Sequence, residues 1–178
     1  MQNKRIGWCF NLKDGLKIAE PNERLSKSYL EHAKSSLSRA EKDLQDNDLL
    51  WATVAMYYAE YYALYAFLQR IGVKCENHAC SILAVSHLLG EEKTKVINAH
   101  KSKRIDAQYY MKVDQENDVK RMLQEAKVFV SYFDEAVPAM SEKELHAYRE
   151  RISKEKEKKK DLIAVSVRNR MRKDVVLA

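Results

Sequence analysis

An all-α, up-and-down antiparallel bundle of about five helices, followed by an additional basic C-terminal helix, is the fold this sequence predicts. Three observations predict it. Glycine and proline number only 4 and 2 in 178 residues, whereas a many-stranded sheet needs turn residues roughly every ten positions. Apolar residues recur at helical spacings of three and four over long stretches. The breaks between those stretches are short, and short connections make consecutive long helices antiparallel neighbours. A chain of this length, 46% apolar and 33% charged, suffices for one domain with a real core but not comfortably for two.

Residues 1–20 mix Trp8, Phe10, Leu12, Leu16 and Ile18 with Gly15 and charges, which reads as an irregular lead-in packed on the bundle. Pro21 suits a first helical turn, where its missing N–H is harmless. The first helix then runs to about Leu44 through Leu25, Tyr29, Ala33, Leu37 and Ala40. Asp46-Asn47-Asp48 supplies a break and cap candidates for a second helix over 49–71, which Gly72 can end in a left-handed cap. Asn77 caps a third, stopped by Gly90, and a fourth spans 92–112 with a polar, kink-prone first half. Asn117-Asp118 opens a fifth, with Val119, Met122, Leu123, Ala126, Phe129 and Phe133 as its buried stripe and Pro138 as its end. Ser141 and Glu144 form a capping box for a last helix, continuing as a solvated rod through the Glu/Lys run 154–160. The expected division is therefore a lead-in (1–20), a bundle (21–138) and a basic helix and tail (139–178).

Leu49–Leu68, the most apolar stretch, contains Glu60 and five tyrosines, so it predicts a buried helix and no membrane association. Cys9, Cys75 and Cys80 are odd in number and form no regular framework, and no apolar stretch follows the basic start as a signal peptide would. Reduced thiols and a cytoplasmic location are the expectation. The charge is uneven. Residues 149–173 hold 11 Lys/Arg against 4 Asp/Glu, while the rest holds 21 against 22. Lys158, Lys159, Lys160, Arg168, Arg170, Arg172 and Lys173 are thus candidates for sequence-blind contact with nucleic-acid phosphates; the plainer alternative is a solvated helix with i,i+4 Glu/Lys pairs.

Several pieces in order carry a family resemblance. Tyr29-Leu30-Glu31-His32-Ala33 is followed by the Tyr-Tyr-Ala-rich run Ala55–Ala66, then Gly72 and His78, then Arg104-Ile105-Asp106-Ala107-Gln108-Tyr109, then Ala126-Lys127-Val128-Phe129-Val130. Over residues 25–137 this set resembles the HEPN domain, with the Arg104–Tyr109 piece similar to the Arg-x-x-Ala-Asp-Tyr element of one uncharacterised branch. The resemblance implies nucleotide or RNA binding, homodimerisation, an archaeal or bacterial setting, and a place beside a minimal nucleotidyltransferase in toxin–antitoxin modules. It also implies, for the active branch, metal-independent RNA cleavage by an Arg followed four to six residues later by His. There the imidazole takes the ribose 2′-OH proton and the guanidinium holds the scissile phosphate. This chain departs from that pattern, with Tyr109 five residues after Arg104. A phenol with pKa near ~10 is a poor base, but it can stack on a base or donate a hydrogen bond.

Arg104, Asp106 and Tyr109 are accordingly the candidate ligand-binding residues, with Arg104, His100 and Tyr109 the candidates for any catalysis. His100, four residues before Arg104, shares its helical face. The alternative is an Arg–Asp surface pair with Tyr109 in the core. Tyr57, Tyr58, Tyr61, Tyr62 and Tyr65 form two columns, one for the core and one for a partner or a stacked base. Cys75, His78, Cys80 and His87 fit no familiar zinc spacing, and no phosphate-loop, dinucleotide or hydrolase motif occurs, so neither metal nor cofactor is expected. The leading function is a nucleotide- or RNA-binding HEPN-like protein; its rivals are a metal-independent endoribonuclease and a purely structural partner.

Overall fold

The computed structural model describes residues 6–158. Within them lie helices α1 (Glu23–Gln45), α2 (Leu49–Arg70), α3 (His78–Leu89), α4 (Lys95–Tyr110) and α5 (Glu116–Ala139), then α6 over 142–158. Short 3-10 turns occupy Ile6–Asn11 and Glu91–Thr94, and two-residue strands β1 (Lys17–Ile18) and β2 (Val73–Lys74) pair antiparallel. The predicted all-α bundle is the observed architecture.

Local chemistry sets most boundaries. Asn22, Asp48 and Asn77 each place a side-chain oxygen on the amide three residues ahead, at 2.9, 3.1 and 3.1 Å, satisfying an otherwise orphaned helix-start donor. Ser141 and Glu144 close the expected capping box, with the Ser141 N–H donating to Glu144 at 2.9 Å and the Glu144 N–H donating to Ser141 Oγ at 3.3 Å. Gly72 and Gly90 take positive φ after α2 and α3.

Four expectations change. Pro21 lies outside α1, whose cap is Asn22. The fourth helix starts at Lys95 rather than 92 and is continuous, because Glu91–Thr94 forms its own tighter turn. Pro138 lies inside the last turn of α5, which runs one residue beyond it to Ala139 instead of stopping at the proline. Finally, the expectation of three reduced thiols is corrected. The 3-10 turn folds Cys9 back onto the start of α3, bringing its Cα within 5.7 Å of that of Cys80 and forming a disulfide, while Cys75 remains a buried free thiol.

The core sits where α2, the most completely buried helix, meets its neighbours: Tyr57, Leu64, Phe67 and Leu68 from α2 pack with Ala33, Ile97, Phe129, Phe133 and Val137. The lead-in is integral to this core. Ile6, Cys9 and Leu16 are buried, and Gly15 lets the chain turn so closely that a side chain there would collide with the Cys9 carbonyl. Helix α6 packs on the bundle through Leu145 and Ile152, both buried. Arg149 donates to the carbonyls of Ala19 and Ile71, and Arg151 to those of His87 and Leu88. Its remaining basic residues include Lys154, paired with Glu150, and Lys158, paired with Glu155. Lys159, Lys160, Arg168, Arg170, Arg172 and Lys173 lie outside the described residues. No helix among the described residues is long and apolar enough to cross a membrane.

Candidate functional site

Helices α2 and α4 lie side by side, and two contacts set their register. The Arg104 guanidinium donates to Tyr58 Oη at 2.9 Å, and His100 reaches Glu60 at 2.7 Å. The i,i+4 spacing thus turns both residues toward α2, as expected, yet into different surroundings.

Arg104 sits in an aromatic frame. Its guanidinium carbon lies 5.3, 5.4 and 5.7 Å from the ring centres of Tyr57, Tyr58 and Tyr109, within the range at which a ring quadrupole attracts a cation. No carboxylate pairs with it among the described residues, and its Nε is buried without a hydrogen-bond partner. The contrast with Lys103 one residue earlier is instructive, because Lys103 has Asp114 at 2.7 Å. Asp106, a candidate ligand-binding residue, forms no ion pair with Arg104 among the described residues; after Asp114, its charge helps to raise the Lys103 pKa. Tyr58 is the residue that holds the guanidinium.

Two further cation-capable groups converge on Arg104. Lys101, one turn back on α4, has its pKa lowered by burial and then by the charge of Arg104. His78, at the first position of α3, stacks on Tyr61 with ring centres 3.7 Å apart and planes 11° apart. Its Nδ1 is 2.7 Å from Tyr57 Oη. Burial, then the charges of Arg104 and Lys101, push its pKa down to about 4, so the ring is neutral near pH 7. Burial raises the Tyr57 and Tyr61 phenols far above their usual range, so both stay protonated. When Tyr57 donates to Nδ1, the imidazole proton resides on Nε2.

The arrangement is therefore two cations one helical turn apart with no carboxylate paired to either among the described residues, a neutral imidazole and protonated phenols. Adjacent like charges in a partly buried setting repel one another, and an anion placed between them relieves that cost. A phosphate has the charge and the acceptor oxygens to do so.

The expected site residues separate accordingly. Arg104 and Tyr109 come together, and Tyr109 is 65% exposed, which places it on the surface and not in the core. His100 is 2% exposed, with one ring nitrogen on Glu60 and the other 3.1 Å from Glu125, so its imidazole is fully engaged inside the bundle. Cys80 is consumed by the disulfide. Sequence reasoning did not assign Tyr58, Lys101 or His78 to this site. The i,i+3 spacing of Lys101 and Arg104 was one available signal; the approach of α3 was not encoded in any local spacing.

The HEPN domain model matches residues 26–136, which span α1 through most of α5 and include every helix of the site. No curated protein and no solved structure matches the chain. With well over half of its length matched, the chain belongs to the HEPN domain family.

Proposed function

We propose that this chain binds the phosphate of a nucleotide or RNA strand, with Arg104 and Lys101 as the cationic contacts and Tyr109 as the stacking surface for a base. The observation that carries this reading is the Arg104 guanidinium itself, held by Tyr58 and framed by three aromatic rings, with no carboxylate pairing with it among the described residues. A half-buried guanidinium whose Nε is buried without a hydrogen-bond partner gains from a counter-ion, and an incoming anion is what such an arrangement accommodates. Tyr109, Tyr110, Met111 and Val113 form an exposed apolar run at the end of α4. That run supports a partner surface beside the site, and we take the partner to be a second copy, forming a homodimer. We further propose that the dimer is one component of a two-component module, of the toxin–antitoxin type, with a minimal nucleotidyltransferase.

The test is binding of a fluorescent RNA oligonucleotide to the purified chain and to Arg104→Ala. Loss of a charge-assisted contact is expected to weaken binding by about ten- to a hundredfold; unchanged affinity would remove Arg104 from the site. A salt titration with and without residues 159–178 tests the basic tail, whose removal is expected to flatten the salt dependence.

One observation favours an enzymatic second reading. His78 supplies a neutral imidazole to the Arg104 cluster, although from α3 and not from the expected position after Arg104. Incubating RNA with the protein in EDTA distinguishes the readings: cleavage that disappears in both His78→Gln and Arg104→Ala supports a metal-independent endoribonuclease, and intact RNA supports binding alone.

A further inference from the structure

A groove of about 770 Å³ runs between α3 and α4, within the size range of small-ligand sites. Its apolar wall comes from Ile82 and Leu83 of α3, and its polar wall from Asn98 and Lys101 of α4. Lys101 is the joint: it lines this groove and is also the cation whose charge couples to Arg104 and His78. The groove therefore begins where the phosphate site ends.

Its other boundary is Trp8. This side chain is 47% exposed, whereas Ile6 and Cys9 on either side of it are fully buried. Cys9 is bonded to Cys80 of α3, so the backbone carrying Trp8 is anchored covalently to the groove's own wall. A large indole held at a rim with half its surface in water is poor core packing but a ready stacking platform. The charged residues along the groove balance, with Glu91 and Glu92 against Lys95 and Lys101. A groove without net charge does not attract a run of phosphates; it suits one uncharged nucleoside next to a phosphate held elsewhere.

We infer that the α3–α4 groove is a second subsite, which takes the nucleoside adjoining the phosphate at Arg104 and Lys101 and stacks its base on Trp8. The inference rests on the phosphate reading above and narrows its substrate class. The ligand is a single-stranded RNA of at least two nucleotides, in preference to a mononucleotide. Trp8 lies outside the family match at 26–136, so the stacking platform comes from the lead-in while the groove walls on α3 and α4 lie within the matched region.

The experiment uses the full chain carrying Trp51→Phe, which leaves Trp8 as the sole tryptophan. Its fluorescence is titrated with adenosine 5′-monophosphate and with the 5′-phosphorylated adenosine dinucleotide. The dinucleotide is expected to quench Trp8 and to bind about tenfold or more tighter, the scale of one base–aromatic stack. Trp8→Leu, followed by a labelled dinucleotide, is expected to abolish that advantage and leave mononucleotide affinity unchanged. If the mononucleotide binds in an Arg104-dependent way but the dinucleotide gains nothing, this inference fails and the phosphate reading stands. If binding of both ignores Arg104→Ala, or neither binds, both fail.

Discussion

His100 Nδ1 lies 2.7 Å from Glu60 Oε1, and each side chain is at most 2% exposed. Glu125 approaches the other ring nitrogen at 3.1 Å from a much more exposed position. Three helices, α2, α4 and α5, are thereby joined by one polar cluster inside an otherwise apolar bundle. Glu60 Oε2 is buried without a partner, so the cluster depends on His100 for its balance. Removing one member of such a buried pair strands the other.

The first prediction concerns that dependence. His100→Ala is expected to destabilise the fold by about 3–5 kcal/mol, because an uncompensated carboxyl remains in the core. Adding Glu60→Gln should recover part of the loss, since an amide costs less to bury than a carboxylate. Urea denaturation of the two single variants and the double variant measures this directly. Strictly additive losses would show that the two residues do not act as a pair.

The same pair sets a pH dependence. Burial raises the Glu60 pKa, offset in part by His100. Burial pulls His100 down, but the hydrogen bond and charge of Glu60, then those of Glu125, outweigh it and leave its pKa raised. Folding therefore tightens proton binding at both groups. The stabilisation is complete below the unfolded values and is lost as pH rises through the folded ones. Wild-type stability is expected to decline as pH rises above about 6.5, the unfolded histidine value, and the decline should be smaller in the Glu60→Gln/His100→Ala double variant. Equal slopes in the two proteins would place the pH dependence elsewhere.

His78 has the opposite sign. Its pKa is pushed down to about 4 by burial, then by Arg104 and Lys101. A depressed group contributes stability above its unfolded value, near ~6.5, and loses it as pH falls through the folded value. In an NMR titration the His78 ring is expected to stay neutral until close to pH 4. Arg104→Gln removes one repelling charge, so the midpoint should move upward. A wild-type midpoint near 6.5 would mean that neither burial nor the two cations act on the ring.

These relationships mark the limit of what was legible beforehand. The caps at Asp48 and Asn77, the Ser141–Glu144 box and the stops at Gly72 and Gly90 were readable because each acts within about four residues. Arg104 and Tyr109 could be placed on one helix for the same reason. Which tyrosine would hold Arg104 depended on the rotation and register of α2 against α4, and no local spacing specifies that. The Cys9–Cys80 bridge, 71 residues apart, and the use of Arg149 and Arg151 on backbone carbonyls likewise arise only from tertiary approach. The basic count near the C-terminus was correct as arithmetic, but it could not separate arginines engaged on backbone carbonyls from solvated ones.

Gly72 links the lead-in to α6. It adopts φ 71°, and a side chain there would meet the Arg149 guanidinium and the Ala19 carbonyl. Gly72→Ala is therefore expected to cost about 1–2 kcal/mol in backbone strain alone, with a further loss from displacing Arg149 off Ala19 and Ile71. Arg149→Ala should reproduce only that second part. Thermal unfolding of both variants checks the ranking, and an Arg149→Ala loss equal to or larger than that of Gly72→Ala would contradict it.

The disulfide carries the last prediction. Closing a loop across 71 residues restricts the unfolded chain by about 4 kcal/mol in the chain-entropy view. Reductant is expected to lower the urea midpoint of the wild type, and a Cys9→Ser/Cys80→Ser variant should behave as the reduced wild type does, with or without reductant. Under non-reducing, non-denaturing conditions alkylation should spare all three cysteines, because Cys75 is buried and its thiol pKa is raised by burial. After denaturation without reductant, mass spectrometry should find Cys75 alone modified. Alkylation of Cys9 and Cys80 at that stage would show that they are thiols, and the covalent anchor under Trp8 would be lost with them.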